Sequence, residues 1–351
     1  MQQAEKACAG LSSDSPSEEK VDAARKLLAA WQQSGALQVL QGAMLNMDDQ
    51  NSLCEACGLL RLLATLDISG SLISDYSLMS SITQALSGTP GSINDSRAAA
   101  SAATTLIILI EGHDVCSSTF LSCGLSCIGG IMACLGRAGI TNDERQLFLR
   151  ALLCIGEAAE EDSEDDSSAS SRFADQVADH AQILISQLTA AQSQPDADRI
   201  CTSCNMLNMQ CLCLVVHCEK VCSRLVQAGA RAAFEGILSN AKLDPEWRMA
   251  AGCSLGWLSL SPQAVLNSPA DKASIVQHMV TLLRGGYVSN DDAWREGVLA
   301  LGMLCRARDM NAIVVNTGVT SMLLRWMETG IMAIRKEVAG MHAELAATGI
   351  S

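Results

Sequence analysis

The stretch Arg199–Leu238 decides the fold class, and it reads RICTSCNMLNMQCLCLVVHCEKVCSRLVQAGARAAFEGIL. Its first half is a run of Cys, Leu and Met, and its second half contains an Ala-rich segment that follows Gly229. Leu, Met and Ala are strong helix formers, while Gly favours the turn between two helices. The stretch therefore predicts a long helix and a shorter helix that Gly229 introduces.

This pair of segments recurs along the chain. A first-type helix is rich in Ala, Leu or Cys, and a second-type helix is shorter, amphipathic and often introduced by Gly. First-type helices are predicted at Glu19–Gln32, Asn51–Leu66, Asp95–Ile110, Asp143–Ala159, Asp198–His217, Pro245–Leu260, Asp291–Cys305 and Ile334–Ala347. Second-type helices are predicted at Gly35–Leu40, Ile73–Leu86, Gly124–Leu135, Val177–Leu188, Gly229–Leu238, Ala273–Leu283 and Gly318–Met327.

Glycine spacing indicates a repeat. Gly35 and Gly124 are 89 positions apart, and so are Gly229 and Gly318. Each interval contains one further second-type helix, so the mean repeat is about half of that, within the roughly 40–47 residues of known two- and three-helix repeats. Acidic residues also mark the starts of four first-type helices, where they satisfy free N–H groups and the helix dipole. These residues are Asp95, Asp143, Asp198 and Asp291.

The bulk composition favours an all-α fold. Hydrophobic residues make up 49% of the 351 residues, but aromatic residues make up only 3%. Sheet-containing enzymes draw more heavily on aromatic and β-branched side chains to fill their sheet faces. Only six prolines interrupt the chain, which favours long helices.

The charge balance argues against nucleic acid and against anionic lipid as partners. Lys and Arg total 24 against 38 Asp and Glu, so the formal net charge is −14. A nucleic-acid binder needs a basic face that displaces counterions from phosphates, and no Lys/Arg cluster occurs in the sequence. The acidic surface favours solubility and a basic protein partner.

The sixteen cysteines are interpreted as reduced thiols in a cytoplasmic chain. Most of them occupy positions for a small buried hydrophobe within helical runs.

The polar segment Met1–Glu19 lacks the apolar core of a secretion signal. Ser, Thr or Gly interrupt the most apolar stretches, Ala98–Ile110 and Leu121–Leu135, and both are short for a membrane span. No membrane insertion is expected.

Two segments resemble armadillo-repeat proteins. In Arg199–Leu238 and again in Ala312–Leu324, an apolar pair precedes a small residue and the Gly that opens a second-type helix. This phrase is similar to the armadillo connection into the third helix. The resemblance implies a right-handed α-solenoid of about seven to eight armadillo-like repeats. HEAT arrays share the period and much of the composition, so the repeat subtype stays open.

On this interpretation the chain has one repeat domain and a tail. Residues 1–18 are Ser-rich and are predicted to form a polar, mobile N-terminal tail. Residues 19–351 form the armadillo-like solenoid. Within it, the acidic run 160–171 is predicted to be a solvated loop insertion that lengthens one repeat.

The resemblance also implies where a partner binds. The third helices of armadillo proteins line a concave groove that holds an extended peptide or a helix of another protein. The resemblance therefore implies a non-enzymatic scaffold or adaptor, acting alone or as one subunit of a larger assembly, with its partner in this groove. The corresponding outward residues here are Gln38, Gln41, Thr83, Gln84, Ser186, Gln187, Arg231, Glu235, Gln277, Thr281, Ser321 and Arg325.

Two local patterns suggest chemistry, and both are better explained by packing. Gly252–Gly256 matches the Gly-x-Ser-x-Gly nucleophile elbow, but an unbroken helical pattern surrounds Ser254 where a strand should precede it. The cysteines of the segment Cys201–Cys222, with His217, could suggest zinc. However, Cys204, Cys211, Cys218 and Cys222 have the spacing of one buried helical stripe. No catalytic residue, metal or cofactor is expected.

An armadillo-repeat chaperone or regulator is the alternative function. Asp244–Gly252 and Asp292–Gly297 resemble the Trp-Ala-Ala-Glu-Gly segments of UCS-type myosin chaperones. A GTPase regulator built from the same repeats belongs to this alternative too. Suppression of client aggregation separates a chaperone from a scaffold.

Overall fold

The computed structural model describes residues 26, 29–31, 33–45, 50–66, 76–87, 96–111, 118–161, 168–192, 199–259, 269–284 and 291–306. Within these residues the backbone is helical apart from turns, and it forms no strand. The predicted all-α class is therefore confirmed. None of the helices described combines the length and the hydropathy needed to cross a membrane.

Fourteen helices have bounds within the described residues. The first seven are α1 (Ala36–Leu45), α2 (Gln50–Leu66), α3 (Tyr76–Ser87), α4 (Ser96–Glu111), α5 (Ser118–Leu135), α6 (Asn142–Glu161) and α7 (Ser168–Asp179). The others are α8 (Ala181–Gln192), α9 (Arg199–Val216), α10 (Glu219–Gln227), α11 (Ala230–Ser239), α12 (Pro245–Ser259), α13 (Pro269–Arg284) and α14 (Asp291–Arg306).

The chain divides into two compact units, Met1–Val177 and Ala178–Ser351. In unit 1 the odd-numbered helices α1, α3 and α5 pack in succession, and so do the even-numbered helices α2, α4 and α6. Helices that are adjacent in sequence pack across these two rows. A buried hydrogen bond ties two members of one row together, since Thr105 Oγ1 in α4 donates to the carbonyl of Cys57 in α2 at 3.2 Å.

Unit 2 has the same arrangement with one added short helix. Helices α9, α12 and α14 pack in succession, and α8, α11 and α13 form the other row. The short helix α10 contacts members of both rows. A buried amide joins the rows, because Asn208 Nδ2 in α9 donates to the carbonyl of Leu184 in α8 at 2.9 Å.

The two helix types predicted from sequence coincide with these rows. We call the first-type helices row A (α2, α4 and α6 in unit 1; α9, α12 and α14 in unit 2) and the second-type helices row B (α1, α3 and α5; α8, α11 and α13). The Ala- and Cys-rich segments pack on one another because small side chains allow close approach of helix axes. Gly35 and Gly229 have positive φ angles of 74° and 93° directly before row B helices, as their predicted role requires.

Helix α1 runs to Leu45 instead of the predicted Leu40, and α13 begins at Pro269 instead of the predicted Ala273. Three further predicted boundaries need correction. The helix predicted at Val177–Leu188 is wrong, because α7 ends at Asp179 and α8 begins at Ala181 after a turn at His180. Gly124 does not introduce a helix either; it lies inside α5, which begins six residues earlier at Ser118. The third is the segment before Gly229, where Glu219–Gln227 forms the separate helix α10. Its buried residues Val221, Cys222 and Leu225 give it an apolar face of its own.

Helix starts follow local sequence rules. Thr141 and Glu144 form a capping box at α6: the backbone N–H of Thr141 donates to Glu144 Oε2 at 3.0 Å, and that of Glu144 to Thr141 Oγ1 at 3.2 Å. At α12, Asp244 Oδ1 accepts the N–H of Glu246 at 2.8 Å. Pro245 then occupies the first helical position, where its missing N–H costs nothing.

The predicted initial acidic residues divide between described and undescribed positions. Asp143 lies in the first turn of α6, and Asp291 is the first residue of α14. Asp95 and Asp198 lie outside the described residues, directly before α4 and α9.

Several predictions fall wholly or partly outside the described residues. They are the tail 1–18, most of the first-type helix Glu19–Gln32, the segments Ala312–Leu324, Gly318–Met327 and Ile334–Ala347, and the site residues Ser321 and Arg325. The acidic run 160–171 is helical at both ends, because α6 extends to Glu161 and α7 begins at Ser168. Residues 162–167 between them are not described.

Candidate binding cavity beside helix α12

Helix α12 packs unusually close to its neighbours because two glycines lie on its packed faces. A Cβ atom on Gly256 would lie 2.8 Å from Ala300 Cβ and 2.9 Å from Ala300 Cα in α14. A Cβ atom on Gly252 would lie 3.0 Å from Met279 Cγ in α13. Both glycines belong to the elbow-like sequence Gly252–Gly256, so the interpretation of that sequence as a closely packed helix is confirmed.

Beside this contact, unit 2 contains a cavity of about 240 Å³ between row A helices. Its wall comes from α9, from one face of α12 and from α14. The lining residues are Cys213, Val216, His217, Glu246, Met249, Ala250, Cys253, Ser254, Trp257 and Glu296. Most of these side chains are apolar or weakly polar, so the cavity suits an apolar group.

An aromatic pair forms part of the wall. The rings of His217 and Trp257 have centroids 4.7 Å apart and are tilted by 50°. His217 is exposed in the turn after α9, whereas Trp257 is half-buried near the end of α12. Such a tilted arrangement is a favourable one for two rings, and it fixes the turn after α9 against α12.

The polar atoms of the cavity do not form an activated nucleophile. Ser254 is 1% exposed, and its Oγ donates to the carbonyl of Ala250 at 3.0 Å, while Cys213 Sγ lies 3.4 Å from the same Oγ. Burial raises the pKa of the Cys213 thiol to about 11, and the charge of Glu296 adds to the shift. Burial also raises the pKa of Cys253 above its usual range, with Cys213 and Glu296 contributing. Both thiols are therefore protonated near neutral pH, the weakly nucleophilic form.

The cysteines of the segment Cys201–Cys222 do not form the single helical stripe that their spacing predicts. Cys204 and Cys211 are buried in α9, which confirms their predicted place in the core. However, α9 ends at Val216, so Cys218 stands before α10 and Cys222 is buried inside it. The stripe thus belongs to two helices. In the residues described, no group of three or more His, Cys, Asp or Glu side chains could hold a metal ion.

The predicted partner-binding residues that are described all lie on row B helices. Gln38, Gln84, Ser186, Gln277 and Thr281 are exposed, and Gln41 and Gln187 are partly buried. Two further residues bind each other, since Arg231 Nε donates to Glu235 Oε1 at 2.7 Å within α11.

Thr83 needs correction as a partner-binding residue. Its side chain is only 3% exposed, and its Oγ1 donates to the carbonyl of Ser80 at 3.0 Å. The reason is its place in α3, where Ile82 and Thr83 both lie among buried neighbours while Gln84 points to solvent.

Sequence reasoning missed the cavity beside α12. One signal was available: Glu246, Ala250, Cys253 and Trp257 are three or four positions apart and therefore share one face of a helix. That spacing alone does not distinguish a cavity wall from a packed core, because the difference depends on how α9 and α14 approach the same face.

Comparison of the sequence with protein-family models finds no match, and comparison with curated proteins finds none either.

Proposed function

We propose that this chain is an armadillo-like α-solenoid that acts by binding another protein, not by catalysis. The observation that carries the proposal is the packing of two helix types into two rows within each unit. Repeat arrays are stabilised in this way, because one repeat cannot bury its apolar face alone and stacked neighbours form a continuous core. Their usual use is an extended surface along one row, which binds a peptide or a helix.

Row B is the surface that we assign to the partner. Gln84 in unit 1 and Gln277 in unit 2 are exposed on row B helices, as are Gln38, Ser186 and Thr281. Uncharged polar side chains on successive helices can hydrogen-bond an extended backbone or polar side chains of a partner. The net charge of −14 favours a partner segment rich in Lys or Arg.

Two observations disfavour the alternatives. Ser254 and the cavity thiols lack the activation that an enzyme of the serine or cysteine nucleophile class needs. Trp247, in the segment that resembles a UCS-type chaperone, is 4% exposed in α12, so it has a packing role that requires no chaperone activity.

Cross-linking mass spectrometry of the complex from cells of the source organism tests the proposal. Within each unit, we expect cross-links from the partner to concentrate on row B helices. Gln84→Arg and Gln277→Arg should weaken recovery of that partner, because they add bulk and positive charge to the proposed surface. The matched control is Gln210→Arg, since Gln210 is exposed on the row A helix α9.

Other outcomes contradict the proposal. Cross-links confined to row A, or equal recovery by the row B variants and the control, refute the assigned surface. Suppression of client aggregation without a stable complex favours the chaperone, and labelling of Ser254 or Cys213 by nucleophile-directed probes favours an enzyme.

A further inference from the structure

The cavity beside α12 has the volume of a pocket for one large side chain. Drug-sized ligands and cofactors occupy pockets of roughly 300–1,000 Å³, and an engineered apolar cavity of about 150 Å³ binds benzene. At about 240 Å³, the cavity in unit 2 has room for one aromatic ring or one branched aliphatic side chain. Met249, Ala250 and Val216 give it an apolar wall that would desolvate such a group.

The charged side chains among the described lining residues are both acidic. Glu246 and Glu296 are lining residues from two different helices, α12 and α14, and no Lys or Arg is among the lining residues described. The negative charge of Glu296 acts inside the cavity, because it contributes to the raised pKa of both Cys213 and Cys253. Apart from these two acids and the two protonated thiols, His217 is the remaining ionisable side chain among the described lining residues. A group that enters here is therefore favoured if a positive charge accompanies it.

We propose that this cavity is a docking socket for a partner protein segment that inserts one bulky apolar side chain and carries a Lys or Arg within one helical turn of it. The apolar side chain fills the space between α9, α12 and α14, and the basic residue lies near Glu246 and Glu296. Buried anchors of this kind, surrounded by polar contacts, supply most of the affinity of many interfaces. The socket lies on row A, so it is a site separate from the row B surface and does not depend on it.

A random peptide library selected on the full chain tests the socket. We expect the enriched peptides to share an apolar residue with Lys or Arg within four positions. Ala250→Phe places a ring in the cavity and should weaken binding of a synthesised, enriched peptide at least about tenfold, the effect of losing an anchor. Glu246→Gln and Glu296→Gln should each weaken it roughly two- to fivefold, as expected for a partly exposed ion pair.

Glu219→Gln is the matched control. Glu219 and Glu246 are both exposed acids in the first turn of a unit 2 helix, but only Glu246 lines the cavity. The control should bind the peptide as tightly as the parent chain does. If circular dichroism shows that Ala250→Phe does not fold, the two Glu→Gln variants and their control decide the result.

Four outcomes overturn the socket. The first three are the absence of enrichment, enriched peptides without a basic residue, and unchanged affinity in both the Ala250→Phe and the Glu→Gln variants. A small apolar molecule that native mass spectrometry detects on the parent chain but not on Ala250→Phe also overturns it in favour of a small ligand. Because these variants lie on row A, failure here leaves the cross-linking test of the row B surface unaffected.

Discussion

Replacing Gly256 by Ala tests whether the contact between α12 and α14 is as close as the structure gives it. The added methyl group would lie 2.8 Å from Ala300 Cβ, 2.9 Å from Ala300 Cα and 3.0 Å from Ala300 O. Two of these atoms belong to the backbone, so the contact can be relieved only by moving the helices apart. Elsewhere in a helix, the same replacement would stabilise the chain by about 1 kcal/mol through helix propensity.

These two effects have opposite signs, and their magnitudes decide the result. Overpacking a core by one methyl group costs about 1–3 kcal/mol, and the upper end applies where backbone atoms must move. After the propensity gain of about 1 kcal/mol, Gly256→Ala should lower the free energy of unfolding by about 2 kcal/mol. Gly252→Ala should lower it by less than about 1 kcal/mol, because its methyl group meets only the flexible side chain of Met279.

Urea unfolding followed by tryptophan fluorescence is the appropriate assay. Four of the five tryptophans, all except Trp31, belong to the second unit, and Trp247 and Trp257 lie in α12 itself, so the signal reports on unit 2. The control is Gly58→Ala in α2, because the nearest contact of the new methyl group there is Arg61 Nη2 at 3.7 Å. The unfolding of this variant is followed by circular dichroism. This variant should be more stable than the parent by about 0.5–1 kcal/mol. If Gly256→Ala is as stable as Gly58→Ala, the close approach of α12 and α14 is wrong.

Three further predictions concern a turn, a helix start and the buried thiols. Gly229→Ala should lower the free energy of unfolding by about 1–2 kcal/mol, because Gly229 has a φ of 93° that disfavours a side chain; an unchanged urea midpoint would contradict this. Thr141→Ala should cost about 1 kcal/mol through loss of the capping box with Glu144, whereas Thr104→Ala, which removes only a bond to the carbonyl of Ala100, should cost less. Burial raises the pKa of Cys127 from 9.0 to about 12, so its thiol ionises in the unfolded chain before it ionises in the folded one. The contribution of this thiol to the free energy of unfolding should therefore be constant below about pH 9. Between about pH 9 and pH 12 it should fall by about 1.4 kcal/mol per pH unit. Cys127→Ala should reduce that slope in urea titrations at successive pH values, and an equal slope in both chains would refute the assignment.

Much of the helical structure could be predicted from local sequence. The bounds of α2, α9 and α12 lie within one residue of the predicted segments, because Ala, Leu and Cys runs, Asp caps and turn residues act within a few positions of each other. The role of Gly229 was likewise visible, since only glycine adopts a positive φ without strain. Errors arose where the pattern was ambiguous. The prediction of a helix start at Gly124 is wrong because a glycine buried inside a helix and a glycine in a turn look alike in sequence.

The candidate cavity could not be predicted in the same way. The helical setting of Ser254 follows from its neighbours in sequence, and so does the common face of Glu246 and Trp257. Whether that face meets a packed neighbour or an open space depends on side chains far away in the sequence, such as Cys213 and Glu296.

The sequence by itself therefore determined the all-α class, the two types of helix and the turn glycines, because hydrogen bonds and steric limits within a short segment set them. Only the tertiary structure decided that the two types pack as rows in each unit, that Gly256 meets Ala300, and that α9, α12 and α14 leave a cavity between them. Helix separation depends on the volumes of side chains that meet across the interface. Those side chains come from segments that no local pattern connects.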